Sequence, residues 1–167
     1  MTSTELFAAM EPALASDILE FNHENDRRLY KSAVEAVAQA RKVRPVFIER
    51  QPRPEQHALL IASLSRPAFG MAADALLRNW LLKKHRPLLT DFLDSLNIKH
   101  EQGAVEDLPK TVDTAALMNA VEALLAKHPR DVVAVYLSAF NSMNTENWAN
   151  LDAALHEDPR LELRHKP

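Results

Sequence analysis

Apolar residues recur at three- and four-residue steps along most of the chain, and prolines cut the pattern into short runs. A stripe of that period makes a helix that buries one face against a neighbour. Leu6, Phe7, Met10 and Leu14 open the series, with Ser3 or Thr4 available as N-cap. From about Asp26 to Lys42, Leu29, Tyr30, Ala33, Val34 and Val37 continue it, and Pro45 stops it. Leu59, Leu60 and Leu64, then Leu76, Leu77, Trp80 and Leu81, then Leu88, Phe92 and Leu96 follow. After a polar stretch, Leu117, Val121 and Leu124 take an N-cap from Asp113 or Thr114. Val132, Tyr136 and Phe140 and a final helix with Trp148, Leu151 and Leu155 complete the pattern.

The fold expected is therefore all-α, a compact bundle or short superhelix of about seven or eight helices packed as hairpins. A chain of 167 residues is long enough for one core, so a single domain over 1–167 is the default. The alternative is a subdivision into 1–98 and 113–160, joined by the polar loop 99–112. One segment reads as extended: Val46, Phe47 and Ile48 lie between Pro45 and Pro52, which predicts a crossing near 45–52.

Only two glycines, Gly70 and Gly103, occur in the whole sequence. Phosphate loops, the dinucleotide fingerprint and the nucleophile elbow each need at least two at close spacing, so these are excluded. The absence of cysteine removes disulfides, thiolate metal sites and thiol nucleophiles. His23-Glu24, His100-Glu101 and His156-Glu157 begin like a zinc-protease helix but lack the second histidine four residues on. Glu20 and His23 have the spacing of a di-iron helix without a second such pair. No metal, no cofactor and no catalytic activity are expected. His85, His128 and His156 stand just before prolines, where an imidazole suits the free carbonyls of a helix end.

The charge is uneven along the chain. Residues 1–26 carry six acids and no Lys or Arg, residues 27–100 fourteen basic and six acidic residues, and residues 101–167 six basic and eleven acidic ones. The basic residues form two groups, Arg41, Lys42, Arg44, Arg50 and Arg53 around the proline-rich crossing, and Arg78, Lys83, Lys84 and Arg86 before Pro87. They read either as complements to the acidic ends or as a site for an anionic partner such as nucleic acid. Trp148, among Asn144, Asn147 and Asn150, is a candidate anchor for a partner.

Residues 121–130 match 151–160 at an offset of 30 without gaps, down to the shared Pro-Arg ending. Repetition of helical hairpins generates concave binding surfaces. The leading expectation is thus a protein-interaction or scaffold module, binding another protein or itself. Sequence-tolerant binding of nucleic acid or another anion through segment 41–86 is the alternative. No membrane span and no basic leader is visible, which points to the cytoplasm.

Overall fold

The computed structural model describes residues 1–163, and among these the fold is all-α. Ten α-helices are present, more than the seven or eight expected, because short helices fill corners that periodicity does not register. They are α1 (Ser3–Ala9), α2 (Pro12–Asn25), α3 (Arg27–Arg41), α4 (Pro45–Glu49), α5 (Arg53–Leu64), α6 (Gly70–Lys84), α7 (Arg86–Ser95), α8 (Thr114–Lys127), α9 (Arg130–Met143) and α10 (Ala149–Glu157). A 3-10 turn, Pro67–Phe69, leads into α6.

The prolines start helices more than they end them. Pro12, Pro45, Pro54 and Pro87 occupy the first turns of α2, α4, α5 and α7, where the missing N–H would have had no partner and φ is already set. Asp26 and Asp113 cap α3 and α8 through their carboxylates, whereas α1 takes its cap from Thr2, in a capping box with Glu5.

The segment expected to be extended is helical. Pro45 fixes the first φ of α4, Phe47 N–H and Arg50 N–H close helical turns on Arg44 and Val46, and no strand lies beside it to pair. Val46, Phe47 and Ile48 had the composition of a strand, but with no sheet to join, a helical turn is what satisfies the backbone.

The chain divides into two units, Thr2–Trp80 and Leu81–Leu163, the latter with Met1; the division falls inside α6. In the N-terminal unit α2 packs on α3 and α5, α3 on α4 and α5, and α1 on α5. Leu6, Phe7, Ile18, Leu19, Val34, Val37, Leu60 and Trp80 are fully or almost fully buried there. Polar ties hold α6 to the same core: Asn22 Nδ2 donates to Leu76 O (3.1 Å), Asn79 Nδ2 to Asn22 Oδ1 (2.8 Å) and Trp80 Nε1 to Asp17 Oδ2 (2.9 Å).

In the C-terminal unit α7 packs on α8, and α8, α9 and α10 pack on one another. Phe92, Tyr136, Phe140 and Trp148 form a chain of tilted and edge-on ring contacts, with centroids 5.3 to 6.0 Å apart. The 99–112 loop carries a tight turn, in which Glu101 and Ala104 exchange both backbone hydrogen bonds around Gln102 and Gly103. Both central residues have positive φ, 50° and 91°, the requirement of a hairpin turn of the primed kind. Gly103 N–H donates to His100 Nδ1, which leaves His100 Nε2–H to donate to Asp94 at 2.7 Å.

Left-handed backbone is otherwise held by side-chain-bearing residues: Lys42, Asn97, Gln102 and Asn147 all have φ between 50° and 57°.

Candidate functional site

The C-terminus of α3 ends on Lys42, whose left-handed conformation lets its own N–H and that of Val43 return to the last carbonyls of the helix. This turns the chain sharply into α4. In α4 a single side chain, Ile48, points into the core and is 1% exposed. Burying it stabilises the helix by about 1.5–3 kcal/mol. The opposite face presents Val46 and Phe47, 37% and 60% exposed, beside Val43 at 42%. Arg41, Lys42, Arg44 and Arg50 are exposed along the same stretch of chain. The corner from Arg41 to Arg50 thus offers an apolar knob among four cations, with one acid, Glu49, exposed on the same short helix.

The knob is fixed from below by a buried relay. Gln56 on α5, 5% exposed, donates through Nε2 to Ile48 O at 3.0 Å and accepts through Oε1 from the hydroxyl of Tyr30 on α3. Burial pushes the Tyr30 phenol above its ordinary value, against the opposing pull of Arg53, so the hydroxyl stays a donor at neutral pH.

Next to the relay lies a polar cluster from α2, α3 and α5. Glu20 Oε2 is 3.4 Å from His57 Nε2 and 3.8 Å from Arg53 Nε. His23 packs edge-on against the Tyr30 ring and meets Arg27 through its own ring nitrogen. Burial lowers the His57 pKa below the ordinary histidine value, with Glu20 opposing and Arg53 adding. His23 is lowered as well, by burial and then by Arg53 and Arg27.

Of the sequence-predicted site residues, the first basic group gathers around α4 and the start of α5, with Arg53 half-buried in the cluster just described. Arg78 is exposed on α6 and paired with Asp74 one turn earlier, at 3.3 Å. Lys83 and Lys84 end α6, and Arg86 starts α7 with its Nε donating to Leu82 O. The second group therefore straddles the division between units: Arg78 belongs to the N-terminal one, Lys83, Lys84 and Arg86 to the other.

Trp148 is a correction. It is 2% exposed, packs on Phe140 and donates from Nε1 to Pro109 O at 2.8 Å, so its surface is used inside the chain and is not offered to a partner. Its asparagine-rich neighbourhood has the same inward purpose, since Asn150 Nδ2 donates to Val112 O. Together they pin the 99–112 loop to the start of α10.

His156 Nδ1 donates to Asp152 O at 2.7 Å, the carbonyl bond expected of a histidine at a helix end. His128 instead meets the Asp91 carboxylate, as does Lys127, at 2.8 and 2.9 Å. Burial pushes Asp91 up, but the hydrogen bonds from Lys127 and His128 outweigh it and hold the carboxyl below its ordinary value.

The matched Pro-Arg endings interlock: Arg130 donates to the backbone oxygens of Arg160 and Glu162, while Arg160 pairs with Glu122 and Asp158.

Among the described residues no group of three or more His, Asp or Glu is placed to hold a metal ion. No single helix there is long and apolar enough to cross a membrane. One pair, Arg53–Leu64 with Pro67–Lys84, has the composition but is bent by 102°. Comparison with known proteins finds no match to this chain, whether a family model, a curated protein or a solved structure.

Gln56, His57 and Val43 were missed by sequence reasoning. Val43 and Phe47 carry one faint signal, since apolar residues alternating with Arg at a proline-marked corner are more than a connector requires.

Proposed function

We propose that this chain is a protein-interaction module whose docking element is α4, and that its partner is an acidic segment bearing large apolar side chains. The observation that supports this is the exposed trio Val43, Val46 and Phe47 in a segment that also exposes Arg41, Lys42, Arg44 and Arg50, with Val46 and Phe47 on a helix whose inner side is held by Ile48. Ordering such side chains at an interface costs little when the helix carrying them is already rigid. The cations select for acidic partners and speed encounter, while the apolar trio supplies the desolvated centre.

The valines favour protein over nucleic acid. Base stacking uses aromatic faces, and Phe47 is the one aromatic in the trio. Glu49, exposed on the same helix, would also repel a uniform phosphate surface.

The test is selection from a randomised displayed peptide library against the intact protein. Enrichment of Asp and Glu interspersed with large apolar residues is expected. Phe47→Ala should weaken the selected peptides by about 2 kcal/mol, some 30-fold, and Arg44→Glu should slow association. No enrichment, or peptides indifferent to both substitutions, refutes the reading. So does stronger binding to single-stranded DNA or to vesicles containing phosphatidylserine than to the peptides. Concentration-dependent dimerisation abolished by Phe47→Ala would make the partner a second copy of this chain, and that too overturns the proposal of an acidic peptide.

A further inference from the structure

The cluster behind α4 has a feature that packing does not explain. His57 Nε2 and Arg53 Nη1 are both buried, and neither makes a hydrogen bond within the protein. Buried donors are almost always paired, because leaving one unmade forfeits its hydration. Both side chains also face the same carboxylate oxygen, Glu20 Oε2, His57 Nε2 at 3.4 Å and Arg53 Nε at 3.8 Å. At these separations, and with the shorter one misaligned, neither contact is a charge-assisted hydrogen bond, which closes to about 2.7–2.9 Å, and His57 pairs with Glu20 as an ion only when protonated, a form that burial disfavours.

We propose that Arg53 and His57 form an oxyanion-binding cleft between α2, α3 and α5, which takes a carboxylate or a tetrahedral oxyanion and from which Glu20 is displaced. Glu20 is the right charge in the right place, but, tethered to α2, its nearer oxygen stands 3.4 Å from His57 Nε2 and 3.8 Å from Arg53 Nε and makes a hydrogen bond to neither. An untethered oxyanion has no such limit. The side chain of His57 is 9% exposed, whereas those of Arg53 and Glu20 are 39% and 40% exposed, so solvent reaches the cluster along Arg53 and Glu20. Gln56 and Tyr30 hydrogen-bond each other, and the Tyr30 hydroxyl also meets Arg53, so the buried Nη1 is the Arg53 donor left for a ligand. Arg27 is held against His23, which also feels the charge of Glu24.

The cleft stands independently of docking on α4, and its test involves no partner. The His57 ring signals of the intact protein are followed by NMR during titration with sodium sulfate, at ionic strength held constant with sodium chloride. A saturable shift is expected. Glu20→Gln should lower the half-saturating concentration about tenfold and Arg53→Met should raise it at least tenfold, about 1.4 kcal/mol each way. Arg53→Lys, which keeps the charge without the planar fork, should fall between, and serves in place of Arg53→Met if circular dichroism shows that variant unfolded. Acetate and phosphate titrations then separate carboxylate from tetrahedral ligands. A His57 signal that ignores sulfate overturns the proposal. So does an unchanged response in the Arg53 variants, or a response weakened by Glu20→Gln.

Discussion

Replacing Gln56 with leucine tests whether the buried relay fixes α4. The substitution keeps a side chain of similar size but replaces the amide with apolar carbon and so removes both of its hydrogen bonds. The Tyr30 hydroxyl, 3% exposed as a residue, loses its acceptor, at a cost of about 1–3 kcal/mol for an unpaired buried donor. Ile48 O keeps its bond from Gln51 N–H at 3.1 Å and loses only the second, from Gln56, worth about 1 kcal/mol. The expected destabilisation is therefore about 2–4 kcal/mol, read as a lower urea midpoint at unchanged slope. Tyr30→Phe alone strands the Gln56 carbonyl and should cost about 1–3 kcal/mol. The double variant leaves neither partner stranded by the other, so it should cost less than the sum by about 1–2 kcal/mol. Amide exchange over Phe47–Gln51 should accelerate in Gln56→Leu while the C-terminal unit is unaffected. Additivity within about 0.5 kcal/mol, or an α4 that exchanges as slowly as before, would falsify the relay.

The two glycines should respond in opposite directions to alanine. At Gly70, helical and with nothing within 4 Å of a built Cβ, alanine should add about 0.5–1 kcal/mol. At Gly103 a Cβ would sit 3.0 Å from Leu89 Cβ at φ +91°, so alanine should cost more than about 1 kcal/mol; thermal denaturation separates the two. Trp148→Phe removes the indole bond to Pro109 O and should cost about 1–3 kcal/mol, with proteolysis inside 99–112 accelerated. Since His57 and His23 sit below the ordinary histidine pKa, the unfolded chain takes up protons first as pH falls. The N-terminal unit should hold its full stability above about pH 6.5 and lose it progressively from there down to the folded values. His57→Gln should flatten that slope, and urea midpoints at several pH values check it.

The long helices were legible because their apolar stripes and caps are local: Asp26 begins α3 and Asp113 begins α8 with only neighbouring residues involved. The α4 segment was misjudged because Val46, Phe47 and Ile48 carry strand composition, and only the absence of a pairing strand makes them helical. Trp148 misled for a similar reason. Its polar neighbours suggest exposure, yet Pro109 and Val112, some 39 residues away along the chain, turn those polar groups inward. Arg53 and Glu20 were each visible in sequence, but their meeting with His57 was not, since the cluster exists only where α2 and α5 pack. The basic segment was visible as a count of charges, and the structure supplied the apolar centre that gives the count a direction.

Lys42 brings the chain's economy of glycine into contact with selection. A left-handed residue with a side chain costs about 1 kcal/mol that glycine would avoid, and Lys42, at φ 57°, is such a residue. Lys42→Gly would therefore give a more robust fold and at the same time subtract one cation from the rim of α4. If the variant proves tougher but a poorer binder, the corner is a point where recognition has been kept at the expense of durability. Work to harden this protein for other uses would begin at Asn97, Gln102 and Asn147, where the same strain guards no part of the α4 surface.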